Sequence, residues 1–375
     1  MTATATDYRF MALALELAKR GVGGTDPNPN VGCVLVDPAG QIVGQGWHAK
    51  AGEAHAEIAA LADAGQAAAG STAYVTLEPC PHHGRTPPCS VALIDAGVRR
   101  VVYAMPDPNP LVAGNGERML LDAGLEVLGG INTAEAAEFN RGYLSRMQRG
   151  RPWVRCKLAT TLDGRTALAA GESQWITGEA ARTDVHRWRA RSSAVLTGVG
   201  TVLADDPALT ARTAECGHML QPVRIVLDSN LRTPAKAGIF TDPAPVKIFH
   251  CHATGNGVDQ RRAELLAAGA EVVAIGGEPG GVDLAEMLAV LGEQQINEVL
   301  VEAGPTLNGA LLDQNLLDEI IVYQAASVLG TDSRGMFAID PLQSMQARLE
   351  LELVDLRKVG SEIRMIYRPL NREQS

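Results

Sequence analysis

The chain has no run of about 20 consecutive apolar residues, the length a membrane-spanning helix needs. Met1 to Asp7 likewise lacks the basic region followed by an apolar one that marks a secretory signal. Cysteine is sparse, six in 375 residues and scattered, which rules against a disulfide framework. A reduced, cytoplasmic protein without membrane contact is expected. Basic charge is also short, 33 Lys+Arg against 43 Asp+Glu for a net charge of −10. The deficit is spread, 11 against 15 in residues 1–150 and 22 against 28 in the rest. Neither half therefore offers the basic surface that nucleic-acid binding requires, although single arginines could hold a small-molecule phosphate. Aromatics are only 4%, so the cores must be built from Ala, Val, Leu and Ile. No G-x-G-x-x-G occurs, which excludes the standard Rossmann fingerprint.

What is present is the composition of a globular enzyme, 46% hydrophobic and 20% charged, at a length that predicts two domains. Apolar spacing predicts a helix over Asp7 to Arg20 with Asp7 as N-cap, and a hairpin of Val31 to Val36 and Gln41 to Gly46 around Asp37-Pro38-Ala39-Gly40. Alternating segments follow: helix His55 to Ala64, strand Thr72 to Leu77, helix Cys89 to Ala96, strand Val101 to Ala104, helix Glu117 to Ala123, strand Leu125 to Leu128 and a closing helix Ala134 to Met147. This order implies a layered α/β domain with a mixed sheet. Arg149-Gly150-Arg151-Pro152 breaks the pattern and sets the boundary between domains 1–150 and 151–375. The second domain restarts with strand Val154 to Ala159, continues as strands alternating mostly with helices, and ends in antiparallel strands within Leu349 to Tyr367.

The chemistry concentrates between His55 and Cys89. His55-Ala56-Glu57 is followed, after a strand, by Glu78-Pro79-Cys80 and then Cys89. One imidazole and two thiolates are the ligand set of a catalytic zinc that keeps its fourth position for water and lowers that water's pKa. Glu57 would carry the proton as general acid/base. His-x-Glu with Pro-Cys-x-x-Cys is the signature of zinc nucleobase deaminases, but here eight residues, not two, separate the cysteines. Residues two apart do not share a helix face. His55 and Glu57 can therefore meet one site only at a helix tip, and a second helix start is expected at or just after Pro79.

The run Thr76-Leu77-Glu78-Pro79-Cys80-Pro81-His82-His83-Gly84-Arg85-Thr86-Pro87-Pro88-Cys89 resembles the deaminase half of the bifunctional riboflavin-biosynthesis deaminase/reductase family. So do Asn28-Pro29-Asn30-Val31-Gly32 and Asp107-Pro108-Asn109-Pro110-Leu111-Val112-Ala113-Gly114. In the second half, Lys157 to Arg165, Gly171 to Thr177 and Val301 to Leu307 resemble the reductase half. The resemblance implies a cytidine-deaminase-like α/β/α domain with a mixed sheet, then a dihydrofolate-reductase-like α/β domain. It also implies one zinc ion per chain, NADPH, a phosphoribosylated aminopyrimidine substrate and a homo-oligomer.

By the same resemblance Asn28, His48, His82 and Arg85 contact the deaminase substrate, Arg85 being suited to phosphate. In the reductase half Ala159, Trp175, Thr201, Asp205, Ser229, Gly304, Pro305, Thr306 and Leu307 lie along the cofactor. Gly304-Pro305 adds a glycine turn into a helix N-terminus, a natural anion site. Ser173, Arg189, Leu209, Arg212 and Glu302 lie along the substrate, and Lys157, Asp205 and Glu302 are the ionisable candidates for sugar opening and protonation. Two alternatives stand beside this reading: a different nucleoside or nucleobase deaminase fused to an unrelated reductase, and a non-catalytic metabolite-binding protein with a structural zinc. In the second, His82 or His83 would close the metal site.

Overall fold

The computed structural model describes residues 2–81, 88–110, 112–212, 221–251, 257–277 and 281–370. The chain divides into two compact units, Met1–Gly150 and Arg151–Ser375.

The first unit runs α1 (Ala5–Ala18), β1 (Gly32–Val36), β2 (Ile42–Trp47), α2 (Ala56–Ala64), β3 (Thr72–Leu77), α3 (Cys89–Asp95), β4 (Arg100–Met105), α4 (Asn115–Asp122), β5 (Glu126–Gly129), α5 (Thr133–Glu138) and α6 (Arg141–Arg149). Its sheet has the order β2-β1-β3-β4-β5. β1 pairs antiparallel with β2 and β3, and β3, β4 and β5 run parallel, the mixed sheet expected. β1 is buried along its whole length, as a central strand covered on both faces should be. Gly44 and Gly46 let α2 close onto β2, because a Cβ on either would lie 2.3–2.5 Å from the Ala60 and Ala56 carbonyl oxygens. That approach sets where the start of α2 points.

Three expectations need correction. The N-cap of α1 is Thr4, and Asp7 is the N3 residue whose carboxylate completes a capping box with it. The closing helix is two helices, broken at Phe139-Asn140. Asn140 is instead fixed by its side chain, which accepts from Asn30 N at 2.7 Å and donates to Asn30 O at 3.0 Å. No helix begins within Pro79 to Pro81, and the next one among the described residues starts at Cys89.

Asp7 also accepts from Tyr74 at 2.9 Å and pairs with Arg100 at 2.7 Å, almost fully buried. Burial opposes its charge, but Arg100, Thr4 and Tyr74 outweigh it and hold the carboxyl at about 2. A depressed carboxyl stabilises the fold above its unfolded pKa and loses that effect as pH falls through the folded value. Asp7→Asn should therefore cost about 2 kcal/mol near neutrality. The difference from the parent in urea midpoint should shrink between about pH 4 and pH 2.

The second unit runs β6 (Trp153–Thr160), α7 (Glu179–Arg191), β7 (Ala194–Gly198), α8 (Val199–Asp205), β8 (Val223–Leu227), β9 (Val246–Cys251), α9 (Val258–Ala267), β10 (Ala270–Ile275), α10 (Leu284–Glu293), β11 (Glu298–Val301), α11 (Pro305–Asp313), β12 (Glu319–Gln324), β13 (Leu351–Val359) and β14 (Glu362–Pro369). The sheet order is β10-β9-β8-β7-β11-β6-β12-β14-β13. Strands from β10 to β12 are parallel, and β14 and β13 add antiparallel at one edge. Buried Arg155 on β6 pairs with Glu298 of β11 and with Glu319 of β12 at 2.5 Å, tying the strand to both its neighbours. The carboxyl ends of the parallel strands open onto one crevice, where doubly wound sheets bind ligands.

Candidate active sites

In the first unit, His55 is the N-cap of α2 with extended backbone, and Glu57 sits in the helix's first turn, buried. That is the helix-tip arrangement the two-residue spacing requires. β3 ends at Leu77 and delivers Cys80, while Cys89 opens α3. His55 Nδ1 lies 3.3 Å from Cys89 Sγ and 3.8 Å from Cys80 Sγ, and the three ligand atoms all lie within 4.8 Å of one another. Tetrahedral zinc with Zn–S and Zn–N bonds of ordinary length needs S···N separations of about 3.6 Å, so the set fits.

The hydrogen bond from the Cys89 thiol, followed by His55, holds the Cys80 thiol well below its usual range, and His55 is raised by its bond to Cys80. The cluster thus already favours a thiolate, the ligand form. Glu57 Oε2 is buried without a hydrogen-bond partner among the described residues. Burial, then the charge of Cys80, push its carboxyl up to about 7. An orphaned carboxylate oxygen beside three metal donors indicates a place for water and substrate. The backbone N–H of Cys89 donates to Cys80 Sγ at 3.4 Å, and Ser90 Oγ donates to Pro79 O at 3.0 Å. These bonds fix one cysteine relative to the other across the unusual spacing.

Glu78 was not singled out from the sequence, although it stands next to Pro79-Cys80. Its buried carboxylate accepts backbone N–H bonds from Gly114 and Asp107 on one oxygen and from Gly116 and Glu117 on the other, at 3.0–3.4 Å. It therefore clamps Asp107, Gly114 and the start of α4 to the segment after β3 that carries Cys80. Glu78→Gln sets an N–H against two N–H groups, an unsatisfied buried contact costing about 1–3 kcal/mol. Zinc affinity, measured by chelator competition, should fall about 10- to 100-fold, the usual effect of losing a ligand's supporting partner.

His48 has both ring nitrogens engaged, Nδ1 with Ala54 O at 3.0 Å and Nε2 with Asn28 Nδ2 at 3.1 Å. With Nδ1–H donated to the carbonyl, Nε2 accepts from Asn28 and fixes that amide. His82, His83 and Arg85 lie outside the described residues.

The second unit has a cavity of about 1230 Å³ along the carboxyl ends of β6, β11, β7 and β8. Lys157, Ala159, Ser173, Trp175, Arg189, Thr201, Asp205, Leu209, Arg212, Ser229, Glu302, Gly304, Pro305, Thr306 and Leu307 all line it. Every reductase-half residue singled out from the sequence thus meets at one place. Trp175 is 71% exposed, with the Arg182 guanidinium over its ring; it is a wall of the cavity and no core aromatic. Arg189 holds Glu302 bidentately, Nε–Oε1 2.5 Å and Nη2–Oε2 3.0 Å. Burial opposes the Glu302 charge, but Arg189 and then Lys157 overcome it and hold the carboxyl at about 2. Burial draws Lys157 below its usual value, against the pull of Glu302, and burial raises Asp205.

Arg189 Nη1 donates to Thr210 O at 3.0 Å, and His186 Nδ1 lies 3.1 Å from the same oxygen. α7 thereby pins the loop that carries Leu209 and Arg212. His186, Arg182 and Arg232 also line the cavity. Sequence reasoning passed them over, because a histidine or arginine on a charged helix or loop has no spacing that marks it.

Comparison with known proteins agrees with this picture. Residues 4–105 match the cytidine and deoxycytidylate deaminase zinc-binding region, and residues 152–365 match the RibD C-terminal domain. Riboflavin biosynthesis protein RibD of Escherichia coli K12 is 47% identical over 367 residues, 95% of this chain and 98% of that protein. The Haemophilus influenzae protein of the same name is 45% identical over 373 residues, 97% of each. Among solved structures, form 1 of Acinetobacter baumannii RibD superposes with a TM-score of 0.90 at 46% identity, covering 98% of this chain and 99% of that one. The Thermotoga maritima diaminohydroxyphosphoribosylaminopyrimidine deaminase/5-amino-6-(5-phosphoribosylamino)uracil reductase gives 0.83 at 33% identity, covering 97% and 99%. The first unit is cytidine-deaminase-like and the second has the family's dihydrofolate-reductase-like reductase fold.

Proposed function

The chain belongs to the bifunctional riboflavin-biosynthesis deaminase/reductase family, and from that premise we propose which residues carry its two reactions. Residues 1–150 perform the hydrolytic deamination of 2,5-diamino-6-(5-phosphoribosylamino)pyrimidin-4(3H)-one. Residues 151–375 then reduce the ribosyl chain of the product with NADPH, giving 5-amino-6-(5-phosphoribitylamino)uracil. The observation that carries the first assignment is the trio His55, Cys80 and Cys89 beside the unpartnered Glu57 Oε2.

His55, Cys80 and Cys89 hold one zinc ion, which supplies an activated water at neutral pH. Glu57 carries one proton of the attacking water to the ring nitrogen and then the second, from the hydroxyl left on carbon, to the departing amine. Water oxygen replaces nitrogen on the amidine carbon, and ammonia leaves. Asn28, its amide held by His48, orients the pyrimidine, and His82 and Arg85 meet its carbonyl and phosphate.

In the second unit the cofactor supplies hydride. Ala159, Trp175, Thr201, Asp205, Ser229 and Gly304 to Leu307 bind it, while Ser173, Arg189, Leu209 and Arg212 lie along the substrate. Glu302, held ionised by Arg189, is suited to accept hydrogen bonds from substrate and not to donate a proton. Lys157 beside it is the proton carrier for ring opening and for the nitrogen bonded to the carbon that takes the hydride. The protein takes a small-molecule substrate and no nucleic acid, works in the cytoplasm and assembles as a homo-oligomer. Among the described residues no helix is long and apolar enough to cross a membrane.

One assay tests both halves: the phosphoribosylated diaminopyrimidinone is supplied, and ammonia and NADPH are followed together. Ammonia release should precede NADPH loss, one for one. Release from cytidine, guanine or tRNA in preference to this substrate would favour the fused-deaminase alternative.

A further inference from the structure

The cofactor-lining residues fall in a spatial order that fixes which way a dinucleotide lies. Ala159 is on β6, Gly304 follows β11, Thr201 is on α8 after β7, and Ser229 follows β8. These four strands are consecutive neighbours in the sheet. The reacting end belongs at β6 and β11, where Lys157 and Glu302 stand, and the turn into α11 takes the phosphates. The adenosine end must then extend over β7 towards β8, about 14 Å from β6 at ordinary strand spacing.

At that end a rigid loop follows β8. Asp228 is fully buried, and its Oδ2 accepts from both Thr233 N and Thr233 Oγ1 at 2.7 Å. Leu231 N donates to Asp228 O at 3.1 Å. Leu231 adopts a left-handed backbone, φ 53°, and is fully buried. Its two neighbours, Asn230 and Arg232, are exposed and line the cavity.

Arg232 has no hydrogen bond or ion pair among the described residues, whereas other cations of the cavity are engaged. Arg189 holds Glu302, Arg182 donates to Thr177 O, and Arg212 donates to Thr210 Oγ1. Arg334 lies on the opposite side, where its backbone pairs with Ala167.

We propose that Arg232 selects a dinucleotide bearing a 2′-phosphate over one without it, its guanidinium pairing with that phosphate beside the Ser229 hydroxyl. A planar fork of donors matches a phosphate bidentately, and the fixed loop leaves little backbone to order on binding. This rests on the assignment of NADPH to the cavity, and names the residue that distinguishes it from NADH.

The test is calorimetric titration of the full chain with NADPH, NADH, 2′,5′-ADP and 5′-ADP. The parent should bind NADPH and 2′,5′-ADP more tightly than NADH and 5′-ADP. R232Q should weaken binding of the two 2′-phosphorylated ligands about 10- to 100-fold and leave the other two within about twofold. R232K should recover part of the loss. Unchanged ammonia release and thermal midpoint would show that the variant is folded. An unaltered NADPH-to-NADH affinity ratio in R232Q, with the parent preferring NADPH, would overturn the role of Arg232 alone. A parent that binds neither dinucleotide would overturn the cofactor assignment and this inference with it.

Discussion

Glu57→Gln is expected to lower ammonia release by about three to four orders of magnitude, the upper range for loss of a positioned acid/base, while zinc content stays at one per chain. The amide keeps the shape of the carboxylate and cannot take a proton from water. The metal donors are His55, Cys80 and Cys89, within 4.8 Å of one another without Glu57, so the substitution removes proton transfer and not the ion. Reduction should be untouched: given the deaminated intermediate, the variant should oxidise NADPH at the parent rate. Chelation should give the complementary result, with ammonia release lost, restored by added zinc, and NADPH oxidation retained. Metal-free protein that still deaminated at full rate would falsify the assignment of the trio. Zinc loss in Glu57→Gln would make the carboxylate a ligand and not a base.

The metal site was legible in the sequence because its chemistry depends on residue type. Few residues other than His and Cys suit zinc, and a carboxylate two positions from the histidine could only meet it at a helix tip, where His55 stands as N-cap. Strands were legible for the same kind of reason: β3, Thr72–Leu77, is a short β-branched run buried on both faces. Asn140 was not, because what stops the helix there is a hydrogen-bonded contact with Asn30, 110 residues away, and no local propensity encodes it. Glu78 was passed over for a related reason. An acidic residue at a strand end reads as solvated, and only the fold brings four backbone N–H groups onto it. Arg189 and Glu302 were named from the family resemblance, but their bidentate pairing was not legible, because only the fold brings together two residues 113 apart.

Lys157→Met should abolish most of the reduction and at the same time stabilise the fold. Lys157 is drawn down by burial, against Glu302, which raises it. A lysine whose pKa is lower in the folded state binds its proton less tightly there than in the unfolded chain. Stability therefore rises with pH between the folded and unfolded values and is reduced throughout the range below both. Methionine fills similar volume without a charge to bury, and Glu302 remains neutralised by the bidentate Arg189. The thermal midpoint should rise by about 2–4 °C for each kcal/mol recovered in a unit of this size. Reduction should fall by about two to four orders of magnitude, with ammonia release unchanged. The pH profile supplies the check that a structural role would not move. In the parent, NADPH oxidation should decline as pH rises through the depressed lysine value, and in Lys157→Met that alkaline limb should disappear. A variant that kept both the rate and the limb would transfer the proton to another group in the cavity, with Asp205, raised by burial, the next to test.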